Sequence, residues 1–404
     1  MTAPSVPAHI PPELVRDFDH IADQDFLQDP FANAQKFRDD RAFWSPHWNG
    51  YWVLTQAGDI REAYQSPELF SAHPGGLPPR PGGPVMIPEE MDPPEHTKYR
   101  QAMSRMFSPR RVGLLREDIR RLAEDLVGQV APAGRVEFVA DFAAILPTRI
   151  FVTRLGLPVS ETEHFVDWNN TLLHAIDDSK RVAGEEIDVY LHELVSRRRR
   201  DPGDDWISEL LDSEVDGQPL DDTTVVGMAF LLFLAGLETV TSGLTFSINF
   251  LARNPGQRRR LVADPSQIPA AVEELLRYQS FASTSRRVTR DVEFAGVQMS
   301  AGDRVLLFNT FGSRDPAEVP GAQEFDLDRR SNRHFAFGAG AHRCVGSHLA
   351  RLELDIALRA WHERIPDYEL DLAGRLPMWG GTNMAIKALD IHWDPAASPR
   401  AEAQ

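Results

Sequence analysis

Cys344 is the only cysteine in 404 residues, and its neighbours are those of a metal-bound thiolate. It stands in the run Phe337-Gly338-Ala339-Gly340-Ala341-His342-Arg343-Cys344-Val345-Gly346. A thiolate must be shielded and must receive N–H donors, and glycines let the backbone curl close enough to supply them. Leu349, Leu352, Ile356 and Ala360 then recur at spacings of three and four. A helix therefore starts just past the sulfur and turns its positive end toward it. A free cysteine in general is most often a small buried hydrophobe, and one near a histidine can act as a nucleophile. The glycine spacing argues against the first reading, and no cysteine-hydrolase signature supports the second. The chemistry that fits the run is ligation of haem iron, where thiolate donation favours O–O cleavage.

A second pair of residues could move protons. Glu238 and Thr239 follow Met228 to Leu237, a stretch that is nearly all apolar. A carboxylate and a hydroxyl inside a buried helix are costly unless used or paired. The hydroxyl can position a proton or a water, and the carboxylate behind it can relay from solvent. Thr239 can also bond back to the carbonyl four residues earlier, at Ala235, and loosen the helix there. With Gly236 allowing close approach, the widening would leave room for a diatomic ligand.

The elements that must position these residues are mostly helical. Asp221-Asp222-Thr223-Thr224 can cap a helix that meets no proline before Pro255, which predicts about thirty residues, or roughly 45 Å. Residues 95–260 are mainly helical in pattern, and Ile268 to Tyr278 is a further helix. Tyr51 to Leu54, Val292 to Val297 and Arg304 to Phe308 read as strands, and the segment after Ile365 as loop and strand. Residues 1–30 read as an irregular arm. Ten of the fifteen residues 74–88 are Gly or Pro, which predicts a loop. The fold class is mainly α with a minor β portion. With no linker and no internal repeat, 1–404 reads as one domain.

Composition narrows the partners. A net charge of −17 argues against nucleic acid and anionic membranes. Arg197 to Arg200 is the densest basic run, and it reads as a solvated helix end before Asp201-Pro202-Gly203. One cysteine means no disulfide and fits a reducing cytoplasm. No run of about 18 uninterrupted apolar residues predicts a membrane span.

Three features now stand in order: the Cys344 loop, Ala235-Gly236-Leu237-Glu238-Thr239, and Glu274-Leu275-Leu276-Arg277 with the later Phe325-Asp326-Leu327-Asp328-Arg329. Together they resemble the cytochrome P-450 superfamily over nearly the whole chain. Asp92-Pro93-Pro94-Glu95, the run Ile268 to Arg277, Gly346 to Arg351 and Trp393-Asp394-Pro395 resemble the bacterial camphor-hydroxylase group, which carries Asp where Glu238 stands. The resemblance implies a single triangular α-rich domain, a long central helix over one haem b, and Cys344 as axial ligand. It implies that Phe337, Gly338 and Gly346 frame the ligand, and that Ala235 and Gly236 border the haem. Thr239 and Glu238 become the proton-delivery pair. His96, Arg100, Arg286 and His342 are implied as partners of the two propionates. Glu274, Arg277 and Arg329 are implied as a buried structural ion-pair network.

The implied activity is a haem-thiolate monooxygenase using O2. Its two electrons would come from a 2Fe-2S ferredoxin fed by an NAD(P)H reductase, since no reductase domain is present. The alternatives are a peroxide-using peroxygenase, which lacks the acid–alcohol pair, and a haem-binding sensor. Leu231, Leu234, Phe281, Ala282, Thr382 and Asn383 match pocket-lining positions of the family. Pro84 falls about where the camphor group has a ketone-binding Tyr, and residues 74–88 hold no Tyr, Ser, Thr or Asn. The expected substrate is a small hydrophobic terpenoid or norisoprenoid other than camphor. Six basic residues and no acidic one between Thr97 and Arg116 suggest where an acidic ferredoxin would dock.

Overall fold

Apolar helical faces and one short-stranded sheet share a continuous buried core. The computed structural model describes residues 6–77, 83–371 and 374–396. The helices that matter to the site are α1 (Glu95–Met106), α2 (Arg116–Val130), α3 (Thr162–His174), α4 (Ser179–Arg200), α5 (Asp222–Leu237), α6 (Thr239–Arg253), α7 (Ile268–Tyr278) and α8 (Ser347–Arg364). The main sheet has strands β1 (Ala42–Ser45), β2 (Tyr51–Leu54), β3 (Phe70–Ser71), β4 (Ser283–Val288) and β5 (Arg304–Phe308), in the order β1-β2-β5-β4-β3. The β2–β5 pair is parallel and the others antiparallel. Val292–Phe294 and Val297–Met299 form a hairpin. The mainly α reading with a minor β portion holds.

The core of the chain is the α5–α6 rod. The Asp221 carboxylate accepts from the Thr224 N–H at 2.7 Å and caps α5. Almost every side chain of α5 from Val225 on is buried, so the helix crosses the interior. The stretch Asp222–Arg253 is long and apolar enough to span a membrane by composition alone, yet 72% of its most apolar window is buried inside the fold, as in a core helix.

The single thirty-residue helix needs correction. The rod is interrupted at Glu238, where φ is −102° and ψ −33°. The cause is local. Thr239 Oγ1 donates to the Ala235 carbonyl at 2.9 Å and Thr241 Oγ1 to that of Leu237 at 3.0 Å. Two successive hydroxyls thus compete for carbonyls that the helix ladder would use.

The N-terminal arm is less irregular than its prolines suggest. It forms a 3-10 turn at Pro12–Leu14 and a helical turn at Gln24–Leu27, and it buries Phe18, Phe26 and Leu27 in the core. In the Gly/Pro-rich segment, 74–77 and 83–88 carry neither helix nor strand, and 78–82 lie outside the described residues.

Glu274 and Arg277 of α7 are fully buried and meet in a two-pronged pair, 2.7 Å at both contacts. The guanidinium also donates to the carbonyls of Ser313, Ala322 and Glu324. Glu274 accepts from the Asp326 N–H at 2.8 Å and from Arg329 at 3.2 Å. Arg277 therefore ties α7 to the segment that leads into the cysteine loop. A buried pair with satisfied partners becomes a liability when one member is removed. Arg277→Ala is expected to lower unfolding free energy by about 3–5 kcal/mol, read by chemical denaturation. A cost under about 1 kcal/mol would contradict this account.

Candidate functional site

The cysteine loop is built by backbone bonds and two left-handed glycines. Gly338 has φ +63° and Gly340 φ +67°. A Cβ on Gly340 would lie 2.2 Å from the Tyr64 carbonyl oxygen, so the tight turn has no room for a side chain. Cys344 N–H donates to the Phe337 carbonyl at 2.9 Å and closes the loop. Helix α8 begins at Ser347, so the sulfur sits just before its N-terminus.

The sulfur has accessible surface, and Cys344 lines an interior cavity of about 290 Å³. That surface faces the cavity and not bulk water, because protein surrounds the thiol on its other sides. Burial pushes the thiol pKa up, while the Gly346 N–H and the Arg100 charge oppose the rise. A bound cation would complete what these donors begin and hold the sulfur as thiolate.

Ala235, Gly236 and Thr239, at the break in the α5–α6 rod, line the same cavity as Cys344. Gly236 needs a different account from the one its sequence suggests. A Cβ there would meet the Phe151 ring at 2.3 Å, so its missing side chain serves helix packing, although the residue still borders the cavity. Glu238 does not line the cavity; its Oε1 is hydrogen-bonded to His174 Nε2.

At one edge of the cavity, cationic and imidazole groups converge with several of their nitrogens unpaired. Arg100, Arg286 and His342 line it. His96 lies behind, its ring centroid 4.1 Å from that of His342. Both nitrogens of each histidine and Nη2 of Arg286 are buried with no hydrogen-bond partner. Burial first, then the neighbouring His342 and Arg100, hold His96 down to about 4, so it is neutral at ordinary pH. Glu89 lies 3.6 Å from His342 Nδ1. Burial would raise its carboxyl, but His342, Arg286 and Arg100 pull it below the usual range. So many unsatisfied donors beside a free thiol suit a flat macrocycle with two carboxylates. Among the described residues, no cluster of three metal-binding side chains competes with Cys344 as a metal site.

Of the expected pocket positions, Phe281 and Ala282 line the Cys344 cavity. Leu234 lines a neighbouring cavity of about 240 Å³, and Leu231, Thr382 and Asn383 border both. An isolated bridge between Ala282 and Asn383 brings the two chain segments together. Pro84 is half-buried and lines neither cavity.

Several residues escaped sequence reading. Glu273 accepts from Arg351 at 2.5 and 3.0 Å and faces His334 at 3.2 Å. Burial would raise its carboxyl, but His334 and Arg351 outweigh that and draw it to about 2. The Arg351 guanidinium lies 4.4 Å from the centre of the Phe337 ring, so this pair clamps the cysteine loop onto α7. Glu353 lines the cavity, and burial pushes its carboxyl up to about 8. Tyr64 donates to Asn309 and accepts from Thr284, both at 2.8 Å. His174 is the partner of Glu238. None of these carries a local pattern, because each depends on a partner distant in sequence.

The basic stretch from 97 to 116 is less uniformly cationic in space than in sequence. Lys98 is paired with Glu95 and Asp216, and Arg111 with Glu209. Arg100 is turned to the Arg343 carbonyl. Arg105, Arg110 and Arg116 are exposed, beside Leu114, which is 76% exposed.

Comparison with known proteins agrees with this geometry. The cytochrome P450 family model matches residues 151–361. A probable cytochrome P450 127A1 of Sinorhizobium fredii is 34% identical over 402 residues, covering 96% of this chain and 97% of that protein. The mycinamicin IV hydroxylase/epoxidase of Micromonospora griseorubida is 32% identical over 83% of this chain and 87% of its own length. The crystal structure of CYP101C1 superposes with a TM-score of 0.87 at 31% identity, over 96% of this chain and all of that one. The chain belongs to the cytochrome P450 family and is a haem b-carrying P450 monooxygenase.

Proposed function

We propose that this enzyme hydroxylates a small hydrophobic substrate, terpenoid or norisoprenoid in class, with O2 and electrons from a 2Fe-2S ferredoxin served by an NAD(P)H reductase. One observation carries the reading: Cys344 lines the same cavity as the interrupted helix at Ala235–Thr239. When bound, haem b supplies oxygen activation and the two-electron chemistry. Cys344, on the loop that Phe337, Gly338 and Gly346 frame, would hold its iron through sulfur. His342, Arg286 and Arg100 bind the propionates, with His96 buttressing His342. Thr239 holds a hydroxyl at the cavity wall, and the Glu238 carboxyl lies behind it.

The substrate side is supported by the apolar character of Leu231, Leu234, Phe281 and Ala282, and by the lack of a hydroxyl or amide side chain in residues 74–88. That segment therefore offers no hydroxyl or amide side chain with which to discriminate for a carbonyl. Arg105, Arg110 and Arg116 are exposed cations of the 97–116 stretch, and Leu114 is an exposed apolar residue between the last two in sequence. The short helix there, Pro109–Leu114, packs on α8, the helix that follows Cys344. An acidic ferredoxin docked there would be steered to the sulfur side. The single cysteine is in keeping with a cytoplasmic setting.

Two outcomes follow. Thr239→Ala is expected to leave NADH consumption near normal while product per NADH falls severalfold and hydrogen peroxide accounts for the rest. Unchanged product per NADH would remove Thr239 from proton delivery. In a panel of small terpenoids, a bulkier apolar ketone is expected to give a more complete low-to-high-spin shift than camphor. A camphor shift larger than all others would overturn the substrate reading.

A further inference from the structure

The hydrogen bond between His174 and Glu238 joins two side chains that are 4% and 5% exposed. His174 is the last residue of α3, and Glu238 is the residue at which the α5–α6 rod breaks. The imidazole lies flat on the Trp379 indole, with ring centroids 4.4 Å apart and planes within 7°. Stacking fixes the ring plane, and the Glu238 bond fixes its Nε2 edge. Each partner keeps one unused atom: Nδ1 of His174 and Oε2 of Glu238 are buried without a hydrogen-bond partner.

The other side of His174 opens outward. A groove of about 270 Å³ is lined by His174, Trp379, Lys180, Lys387 and Ile176. Ile176 is 73% exposed and Lys387 is exposed as well, so the groove reaches solvent. His174 thus stands between a solvent-facing groove and the buried carboxyl next to Thr239. The charged groups lining the groove are Lys180 from α4, whose Nζ donates to the Leu173 carbonyl at 3.4 Å, and Lys387, whose Nζ is 5.3 Å from the centre of the Trp379 ring.

We propose that His174 is the positioning residue that loads Glu238 with protons from this groove. The inference rests on the proton-delivery reading of Glu238 and Thr239. An imidazole is the one neutral side chain that accepts a proton at one nitrogen while donating from the other. In the loading step the His174 Nε2–H bond breaks and a Glu238 Oε1–H bond forms. His174 Nδ1, buried at rest, takes a proton from a hydronium ion that a small opening admits from the groove, which leaves the ring neutral as the Nδ1–H tautomer; when Glu238 turns away, Nε2 takes a proton from water and Nδ1 gives its own back, which restores the starting tautomer. The protonated Glu238 turns from His174 toward Thr239, whose hydroxyl proton is engaged by the Ala235 carbonyl and whose oxygen can accept. Flat stacking on Trp379 keeps Nε2 aimed at the carboxyl between cycles.

The test compares His174→Gln and His174→Phe with wild type and with Thr239→Ala. Gln keeps an N–H donor for Glu238 and so preserves a merely structural contact, but it cannot pass a proton. Both variants are expected to retain haem content and substrate affinity within about twofold. Product per NADH should fall about fivefold, peroxide should rise to match, and the solvent deuterium isotope effect on turnover should about double. Coupling restored by Gln to the wild-type level would overturn the relay and leave a structural pair. If Thr239→Ala uncouples while both His174 variants stay coupled, the inference fails and the proposed function stands. If Thr239→Ala stays coupled, the failure lies in the proton-delivery reading itself. A readout independent of turnover uses the diamagnetic carbon monoxide-bound ferrous enzyme. The imidazole 15N chemical shifts of His174 should report a hydrogen-bonded Nε2 in wild type and lose that signature in Glu238→Ala. Unchanged shifts would overturn the contact on which the relay depends.

Discussion

A thiol buried in a protein interior resists ionisation, and the whole proximal side answers that constraint. Burial pushes Cys344 up, and the opposing influences are a single N–H at Gly346, the charge of Arg100 and the start of α8. These are modest against the cost of a buried anion. Iron held by the sulfur would supply the missing charge, and its uptake would then release the thiol proton. The rest of the loop serves to keep this arrangement from relaxing. Gly340 turns where no side chain fits, Phe337 is stacked under Arg351, and Arg351 is locked to Glu273 on α7. The same helix holds the Glu274–Arg277 pair that anchors the incoming segment. Two adjacent carboxylates on one helix therefore fasten both ends of the approach to Cys344.

The distal side follows another rule: a helix that crosses the core can tolerate polar groups only if its own backbone absorbs them. Hydroxyls of Thr239, Thr241, Thr245 and Ser247 all return to carbonyls four residues back. At Thr239 this back-bonding coincides with the break, and the rod opens beside the cavity. Polar satisfaction and space for chemistry are thus one local event.

Much of this was legible in the chain. The cysteine loop, the Asp221 cap, helix Ile268–Tyr278 and strands Tyr51–Leu54 and Arg304–Phe308 are written in local spacing, because glycines, caps and alternation act over a few residues. The break at Glu238 was half legible: Thr239 announced the back-bond to Ala235, but its consequence needed the neighbouring Thr241 as well. What stayed hidden depends on contacts between distant segments. His174 gains meaning only because α3 ends against the rod, 64 residues away in sequence. Glu89 and Glu273 acquire their shifted ionisation from partners in other elements. Gly236 was read as space for a ligand, whereas the Phe151 ring of a neighbouring helix occupies the place of its side chain. The charge reversal at 97–116 was real in sequence and is partly cancelled by Glu95, Glu209 and Asp216 in space.

Ligation of the iron by Cys344 is the claim on which the proximal loop, the propionate edge and the oxygen chemistry all rest. The ferrous–carbon monoxide difference spectrum tests it most directly, because the Soret position reports the axial ligand. The wild-type enzyme should give the long-wavelength band of a thiolate complex, and Cys344→Ser should lose it, since an alcohol oxygen is a far weaker donor. Retention of that band in Cys344→Ser would contradict the account.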